Sequence, residues 1–382
     1  MSSDRRQFLR IAGAAGIAGL AGCTSGGGGS GGSNGSGGGN GSGGNGSGNG
    51  TSGGSGGSGS DANIGMVYAK GGLGDKSFND MAHRGVERAK KELGISYNEA
   101  QPEQNSDFPT FQRRYAKSTS PKYDLVSCIG FAQVSALSDV APNFSDQSFL
   151  LVDGVVDEPN VASYVFKEHE GSFQIGHLAG LLTTKEMSAG AGKTDPSNAK
   201  LGFVGGEEAP LIKKFQAGFE KGVKHANSDA SVNVAYTGSF SDPGAGKEAA
   251  VSMYNDGADI VYHSAGATGI GVFQAASEQN RYAIGVDSDQ SKSSPKFSDV
   301  ILASMVKQVD NAVFTAAENV VNGNFKGGST KTLGLEKDGV EVVYGNQLGP
   351  EIPKEVKDAL KESRKKIVSG DIEVPKKPGS GS

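Results

Sequence analysis

The sequence predicts an α/β protein with two similar lobes, each a doubly wound parallel sheet, and a ligand cleft between them. Short, nearly continuous apolar runs, typical of strands covered on both faces, alternate with stretches of helical periodicity. The alternation comes in two successive series of about 100 residues each, and about 320 residues follow the N-terminal segment, too many for one small core. Sheets of this kind bind ligands at the carboxyl ends of their strands, so two facing lobes predict a cleft.

The N-terminus predicts an export signal in residues 1–22. Arg5 and Arg6 are followed by Phe8 and Leu9, and then by a short stretch of small and apolar residues. A charged start and a short apolar stretch are typical of a signal peptide rather than of a membrane span. The arginine pair resembles a twin-arginine signal, whose cargo folds before export.

A lipid anchor and a flexible tether are predicted next. Residues 20–23, with the sequence LAGC, resemble a lipobox, in which Cys23 becomes the lipid-modified first residue of the mature protein. Of the 61 glycines, 21 lie between residues 26 and 60, so residues 23–61 cannot bury enough apolar area to fold. We therefore expect a cell-surface protein that the lipid on Cys23 holds at the outer face of the cytoplasmic membrane.

The predicted tether also carries four N-x-[S/T] sequences, at Asn34, Asn40, Asn45 and Asn49. Each is a possible N-glycosylation site, although a segment this rich in Asn, Gly and Ser also produces such matches by chance. A twin-arginine lipoprotein on a glycosylated stalk resembles an archaeal surface protein of a halophile.

The first predicted lobe comprises residues 62–166. It begins with a strand at 63–69 and continues with a helix that runs to Leu93 and is capped by Asp75 or Ser77. Further strands are predicted at 123–129, 148–152 and 163–166, with helical stretches between the earlier ones.

The second predicted lobe comprises residues 167–290. Its helices are predicted at 168–185, 210–226, 246–256 and 269–279, and its strands at 200–205, 232–236, 259–263 and 282–286. The remaining chain adds two or three short strands and two helices that cross back between the lobes. We assign about 291–325 to the first lobe, about 326–375 to the second, and 376–382 to a flexible tail.

Composition excludes several functional classes. A net charge of −5 and a pI near 5.7 give no basic patch for nucleic acid, and two cysteines cannot form a disulfide scaffold. The five histidines show no metal-ligand spacing, so we expect neither a metal nor a cofactor. Cys128 lies in an apolar strand, where a buried, inert thiol is expected. In the loop 71–77 an aspartate precedes the lysine, so a phosphate-binding loop is not predicted.

Four short motifs together carry a family resemblance. They are GDKSFN at 74–79, VDGVVDEPNV at 152–161, FKEHEGSF at 166–173 and IGVDSDQ at 284–290. In this order they resemble the basic membrane protein (BMP) family, the purine nucleoside receptor A-like substrate-binding lipoproteins of ABC importers. The resemblance covers about residues 62–370. It implies a type I periplasmic-binding fold, a monomer that binds a nucleoside without turnover, and an ABC permease as partner.

The resemblance also implies positions for the base of the ligand. Phe78 and Phe240 correspond to two aromatic clamps on opposite lobes, and Asn79 to a group that donates and accepts along the base edge. Stacking on an aromatic ring contributes about 1–3 kcal/mol per base. The spacing of the first helix allows the alternative that Phe78 is a core residue.

Polar partners for the ribose follow in the same way. Asp287 and Lys307 resemble the partners of its hydroxyls, Asp153 a further polar contact, and Gly266 a point where the backbone touches the sugar. The alternative for each charged residue is a solvated salt bridge.

One position departs from the family pattern. Where the first strand ends, the family often has an aspartate that hydrogen-bonds the base, and here that position is Ala69. A second hypothesis is therefore a binding or sensor lipoprotein of the same fold for another small ligand, such as a sugar. A third is a nucleoside-processing enzyme, which needs a catalytic carboxylate cluster or a metal; only Asp287 and Asp289 lie close together in sequence.

Overall fold

The structure is a computed structural model that describes residues 60–379. The predicted export signal, the lipidation site at Cys23 and the four possible glycosylation sites lie outside the described residues, and so does nearly all of the predicted tether.

The first part of the chain builds a parallel sheet with helices on both faces. Its elements, in order, are β1 (Asn63–Val67), α1 (Phe78–Leu93), β2 (Ser96–Ala100), α2 (Phe108–Lys117), β3 (Leu125–Ile129), α3 (Val134–Val140), β4 (Ser148–Val152) and β5 (Val161–Phe166). The inner strands are buried along almost their whole length, as the continuous apolar runs predict. The edge strand β2 is half exposed and polar, which is why its sequence gives no strand signal.

The second part builds a similar sheet. Its elements are α4 (Glu168–Leu182), a hairpin of β6 (Ser188–Ala189) and β7 (Gly192–Lys193), β8 (Lys200–Gly205), α5 (Pro210–Ala226), β9 (Ser231–Tyr236), α6 (Pro243–Asn255), β10 (Ala258–Ser264), α7 (Gly269–Gln279), β11 (Tyr282–Asp287), α8 (Gln290–Ser293) and β12 (Ile301–Lys307). None of the helices in residues 60–379 combines the length and apolar character that a membrane span requires.

The last part of the chain completes both sheets. Helix α9 (Val309–Val321) packs on α1, and β13 (Ser329–Leu333) pairs in parallel with β5, giving the order β13-β5-β4-β3-β1-β2. Strand β14 (Val340–Tyr344) pairs antiparallel with β12, giving β14-β12-β11-β10-β8-β9, and α10 (Lys354–Ser369) packs on α4. The two lobes are therefore joined three times, near residues 167, 308 and 334–339.

The observed lobe boundaries differ from the predicted ones in this last part. Strand β12 belongs to the second lobe, although 291–325 was assigned to the first, and β13 belongs to the first, although 326–375 was assigned to the second. An apolar strand such as β12 fits the interior of either sheet, and only its pairing with β11 decides between them. Strand β13 is short, polar and at an edge, so its sequence does not reveal its partner.

Helices α4 and α5 touch backbone to backbone through glycines. A Cβ on Gly222 of α5 would lie 2.0 Å from the carbonyl oxygen of Phe173, and one on Gly176 of α4 would lie 2.1 Å from that of Phe219. Such distances leave no space for a side chain on either helix. The contact fixes α4, which starts where the chain first enters the second lobe.

We expect Gly222→Ala to lower the free energy of unfolding by about 1–3 kcal/mol, because the added methyl group forces the helices apart. Gly244→Ala on α6 is the matched control, since a Cβ there meets only an Asp242 oxygen at 3.2 Å. The control should be neutral or slightly stabilising, because alanine favours a helix over glycine. Urea denaturation of both variants measures the difference, and equal stability of the two would contradict tight packing.

Candidate ligand-binding site

A cleft lies where the carboxyl ends of both sheets face each other. Its walls come from loops that follow β1, β3, β4, β8, β9 and β10, from the last residues of β11 and β12, and from residues of α1 and α5. The structure brings all seven predicted ligand-binding residues to this cleft: Phe78, Asn79, Asp153, Phe240, Gly266, Asp287 and Lys307.

Aromatic rings from both lobes line the cleft. Phe78 stands at the start of α1 in the first lobe, and Phe240 follows β9 in the second. Phe131, which follows β3, lies edge-on to Phe240 with 6.3 Å between ring centroids. The Phe78 ring is half-buried, packs against the hydrophobic core and also faces the cleft, so its role as an aromatic clamp stays a prediction.

A buried cluster of charges forms the inner end of the cleft. Lys307 Nζ donates a hydrogen bond to Asp153 Oδ2 at 2.5 Å and lies 3.7 Å from Glu168 Oε1. The ammonium group also lies 4.9 Å from the centroid of the Phe78 ring, within cation–π range. Lys307 is only 1% exposed and Asp287 6%, so the alternative of solvated salt bridges is wrong for both.

The protonation of the cluster follows from burial and mutual attraction. Burial raises the pKa of Glu168 and of Asp287, and the nearby Lys307 ammonium opposes both shifts. Burial alone would lower the pKa of Lys307, but the surrounding carboxylates outweigh it and raise that pKa above its ordinary value. Within residues 60–379, Asp153 Oδ1 and Glu168 Oε1 are buried without a hydrogen-bond donor. Of the two residues, Asp153 lines the cleft, so its free oxygen is suited to accept a hydrogen bond from a ligand hydroxyl.

The loop before α1 is organised by the carboxylate of Asp75. This group accepts hydrogen bonds from the backbone N–H of Ser77 (2.9 Å), Asn79 (2.9 Å) and Asp80 (3.2 Å). Asp75, rather than Ser77, therefore caps α1. Because the carboxylate already occupies these N–H groups, they are not available to a phosphate group, in agreement with the sequence-based exclusion.

The same loop fastens the first lobe to the second. Lys76 has a left-handed backbone (φ 58°), and its carbonyl oxygen accepts hydrogen bonds from Ser288 Oγ (2.6 Å), Ser293 Oγ (3.0 Å) and Gln290 Nε2 (3.2 Å). We call these contacts the Lys76 latch. Beside it, Ser77 Oγ donates to Asp287 Oδ2 at 2.6 Å. The lobes are thus closed on each other.

Gln290 is held in place for the latch by a buried histidine. Its Oε1 accepts hydrogen bonds from the backbone N–H of Val286 (2.8 Å) and from His263 Nε2 (2.9 Å). Burial lowers the pKa of His263 to about 4, so the ring is neutral and carries its one proton on Nε2. This arrangement orients the Gln290 amide nitrogen toward the Lys76 carbonyl.

The surroundings of Asn79 and Gly266 bear on two of the predicted contacts. Asn79 Oδ1 accepts from the backbone N–H of Ala69 at 3.0 Å, and Asn79 Nδ2 donates to the Ala69 carbonyl at 3.5 Å. Gly266 has a φ of 55°, and a Cβ there would lie 3.0 Å from the carbonyl oxygen of Phe240. The contacts of Asn79 with a base and of Gly266 with a sugar stay predictions.

Sequence reasoning missed several participants in the cleft and its closure besides the Lys76 latch. Glu168 is fully buried beneath Lys307, but Glu170, His169, Gln174 and His177 are also buried in the same helix, so the helix sequence does not single it out. Ser77 in the first lobe donates a hydrogen bond to Asp287 in the second. Lys70 in the first lobe forms an ion pair with Glu207 in the second. Polar residues at strand ends are common, so no pattern in the sequence distinguishes these from ordinary loop residues.

The remaining candidates for reactive chemistry lie away from the cleft. Cys128 is buried in β3, and burial raises the pKa of its thiol, which agrees with an inert side chain. In the part of the chain that the structure describes, no three His, Cys, Asp or Glu side chains are grouped as a metal site requires.

Relatives of the chain include transport proteins and lipoproteins. The ABC transporter nucleoside-binding protein BmpA of Lactococcus lactis is 34% identical over 337 residues, which cover 83% of this chain and 90% of the relative. An uncharacterized lipoprotein of Pyrococcus horikoshii is 34% identical over 289 residues, which cover 72% of this chain and 67% of the relative.

Solved structures agree with these relationships. An ABC transporter solute-binding protein from Aeropyrum pernix K1 matches with a TM-score of 0.72 and 29% identity, over 82% of this chain and 94% of that one. This match to a solute-binding protein, together with the two facing and mostly parallel sheets, confirms the predicted type I periplasmic-binding fold. Residues 62–378 match the family model for PnrA-like ABC transporter substrate-binding proteins (Bmp). The chain therefore belongs to the Bmp family of ABC transporter substrate-binding proteins, which bind their substrates and are not enzymes.

Proposed function

We propose that this protein captures a nucleoside, with a purine as the base, between its two lobes and delivers it to an ABC permease. The observation that carries the proposal is the composition of the cleft. Aromatic rings of Phe78 and Phe240 line its middle, and buried ionic groups form its inner end. A nucleoside has the matching parts, a flat polarisable base and a sugar with vicinal hydroxyls.

The ribose is assigned to the inner end of the cleft. Asp287 and the free oxygen of Asp153 accept from its hydroxyl groups, and Lys307 donates to a hydroxyl oxygen. The 34% identity to a relative that is named a nucleoside-binding protein supports the same assignment. Closure around the ligand, fastened by the Lys76 latch, provides one surface formed by both lobes for a permease to recognise.

The proposed location follows from the predicted N-terminus and from the relatives. We place the protein at the cell surface, where the lipid on Cys23 holds it to the membrane and residues 23–61 act as the tether. The lipoprotein among its relatives supports this placement. The protein is proposed to act as a monomer, because both halves of the cleft come from one chain.

A second candidate ligand is a sugar. Ala69 removes the carboxylate that would read a base, while the buried acceptors at the inner end suit any ligand with several hydroxyl groups. Ribose and galactose are therefore part of the test.

We expect the full chain to bind a purine nucleoside saturably in a calorimetric titration, and ribose or galactose much more weakly. Phe240→Ala should weaken nucleoside binding by about 1–3 kcal/mol, since it removes one stacking partner. Phe240→Tyr is the matched control, because it keeps the ring and should keep most of the affinity. Tight binding of a sugar without any response to nucleosides would overturn the proposal in favour of the second candidate.

A further inference from the structure

An ion pair from opposite lobes stands at the outer end of the cleft. Lys70 follows β1 in the first lobe, Glu207 follows β8 in the second, and Lys70 Nζ donates to Glu207 Oε1 at 2.8 Å. Both residues line the cleft, and their side chains are 32% and 31% exposed. The contact uses one of the two carboxylate oxygens and one of the three ammonium protons. Donor and acceptor capacity therefore remains on both groups.

The ion pair lies beside the aromatic ring of Phe240. The Phe240 ring packs against Gly206, the residue before Glu207, because a Cβ on Gly206 would lie 2.4 Å from a ring carbon. A Cβ on Gly71, next to Lys70, would lie 3.9 Å from the Phe240 carbonyl oxygen. The buried Lys307, in contrast, lies over the ring of Phe78. The aromatic rings thus stand between two polar ends, one buried and one at the mouth.

This arrangement assigns the outer end to the edge of the base. The inference rests on the proposed function, in which the ribose occupies the inner end. A base stacked on Phe240 then presents its polar edge to Lys70 and Glu207. Ala69 has no polar side chain, and the Asn79 amide is hydrogen-bonded to the backbone of Ala69. The Asp75 carboxylate also lines the cleft but already accepts from three backbone N–H groups, so we assign the base edge to the carboxylate of Glu207.

A lysine beside a glutamate is complementary to one class of purine. Guanine and hypoxanthine carry a carbonyl oxygen, O6, beside a donor, N1–H, and guanine adds a second donor, the N2 amino group. An ammonium group satisfies O6, and a carboxylate accepts from N1–H and N2–H together. Adenine has a lone pair at N1, which a carboxylate repels. We propose that Lys70 and Glu207 read the base edge and select 6-oxopurine nucleosides, guanosine above inosine and both above adenosine.

Calorimetric titration of the full chain with guanosine, inosine and adenosine tests this assignment. Glu207→Gln keeps the shape but removes the charge and one acceptor, so it should weaken guanosine binding by about tenfold or more. Adenosine binding should stay unchanged or improve. Lys70→Met should weaken guanosine and inosine by a similar factor, because both lose the donor to O6. Both side chains are partly exposed, so the variants are expected to fold.

Glu278→Gln is the matched control. Glu278 Oε1 accepts from Lys247 Nζ at 2.7 Å in a surface ion pair that does not line the cleft, so no nucleoside affinity should change. If Glu207→Gln lowers the affinity for all three nucleosides equally, the ion pair only holds the lobes together. That result would overturn the proposal that it recognises the base, but not the proposal that the protein binds nucleosides. A wild-type preference for adenosine would overturn it too. Absence of binding to any nucleoside by the wild type would instead overturn the proposed function itself.

Discussion

Replacing Lys307 with methionine is expected to lower the free energy of unfolding by about 3–5 kcal/mol. The side chain is 1% exposed and is shared by Asp153 and Glu168, which are themselves 6% and 0% exposed. Methionine fills the space but leaves Asp153 without its cation and Glu168 with only the Lys214 ammonium, 3.3 Å from its Oε2. Removing one partner of a buried ionic cluster lowers the free energy of unfolding by more than the intact cluster adds to it, because the remaining charges cannot reach water.

Urea denaturation without ligand measures this effect, and Lys292→Met is the control. Lys292 pairs with Asp289 at 3.0 Å but is 70% exposed, so its removal should change stability by less than about 1 kcal/mol. Adding Asp153→Asn to Lys307→Met should restore part of the loss, because one of the uncompensated charges disappears. The prediction fails if Lys307→Met costs no more than its control.

Replacing Asp75 with alanine should cost about 3 kcal/mol, which is more than an ordinary helix cap contributes. Its carboxylate serves three backbone N–H groups and is 4% exposed, so water cannot readily replace it. Asp242 is the matched control. It caps α6 by accepting from one N–H, that of Ala245, at 3.0 Å, and it is exposed. Asp242→Ala should cost about 1 kcal/mol in the same urea denaturation.

The contribution of Asp75 should also depend on pH. Burial raises the pKa of Asp75 to about 6, although its three hydrogen bonds oppose the shift. The unfolded carboxyl titrates near pH 4, so between about pH 4 and 6 the folded protein binds more protons than the unfolded chain. The proton bound to Asp75 therefore stabilises the folded protein fully below about pH 4, and this stabilisation is lost as the pH rises through about 6. The difference between wild type and Asp75→Ala should therefore be about 1 kcal/mol larger at pH 5 than at pH 7.5, and a difference that grows with pH would contradict the assigned shift.

Much of the fold and the placement of the candidate site were predictable from local sequence. Continuous apolar runs such as 148–152 and 200–205 identify strands buried on both faces, and the structure has strands at the same residues. Since parallel strands all end at one edge of a sheet, residues that follow them, such as Asp153 and Asp287, could be placed in a common cleft.

The remainder depends on pairings between distant parts of the chain. The latch joins the backbone carbonyl of Lys76 to side chains more than two hundred residues later, and a carbonyl group is present at every position. The role of Gln290 depends on His263, whose neutral state is set by burial rather than by neighbours in sequence. The ion pair of Lys70 and Glu207 exists only because the lobes close. Periodicity and motif spacing contain none of this information.

The order of the sheets has a consequence for how a nascent chain matures. Strand β5 is neighboured on one side by β4, and its other side is covered only by β13, at residues 329–333. While the ribosome is still adding the intervening residues, β5 therefore exposes a row of unsatisfied backbone groups on a largely apolar strand. Such an edge attracts other incomplete chains, so the first lobe needs protection from aggregation until synthesis has nearly ended. A lobe that begins near the start of the folded region is thus among the last to be finished.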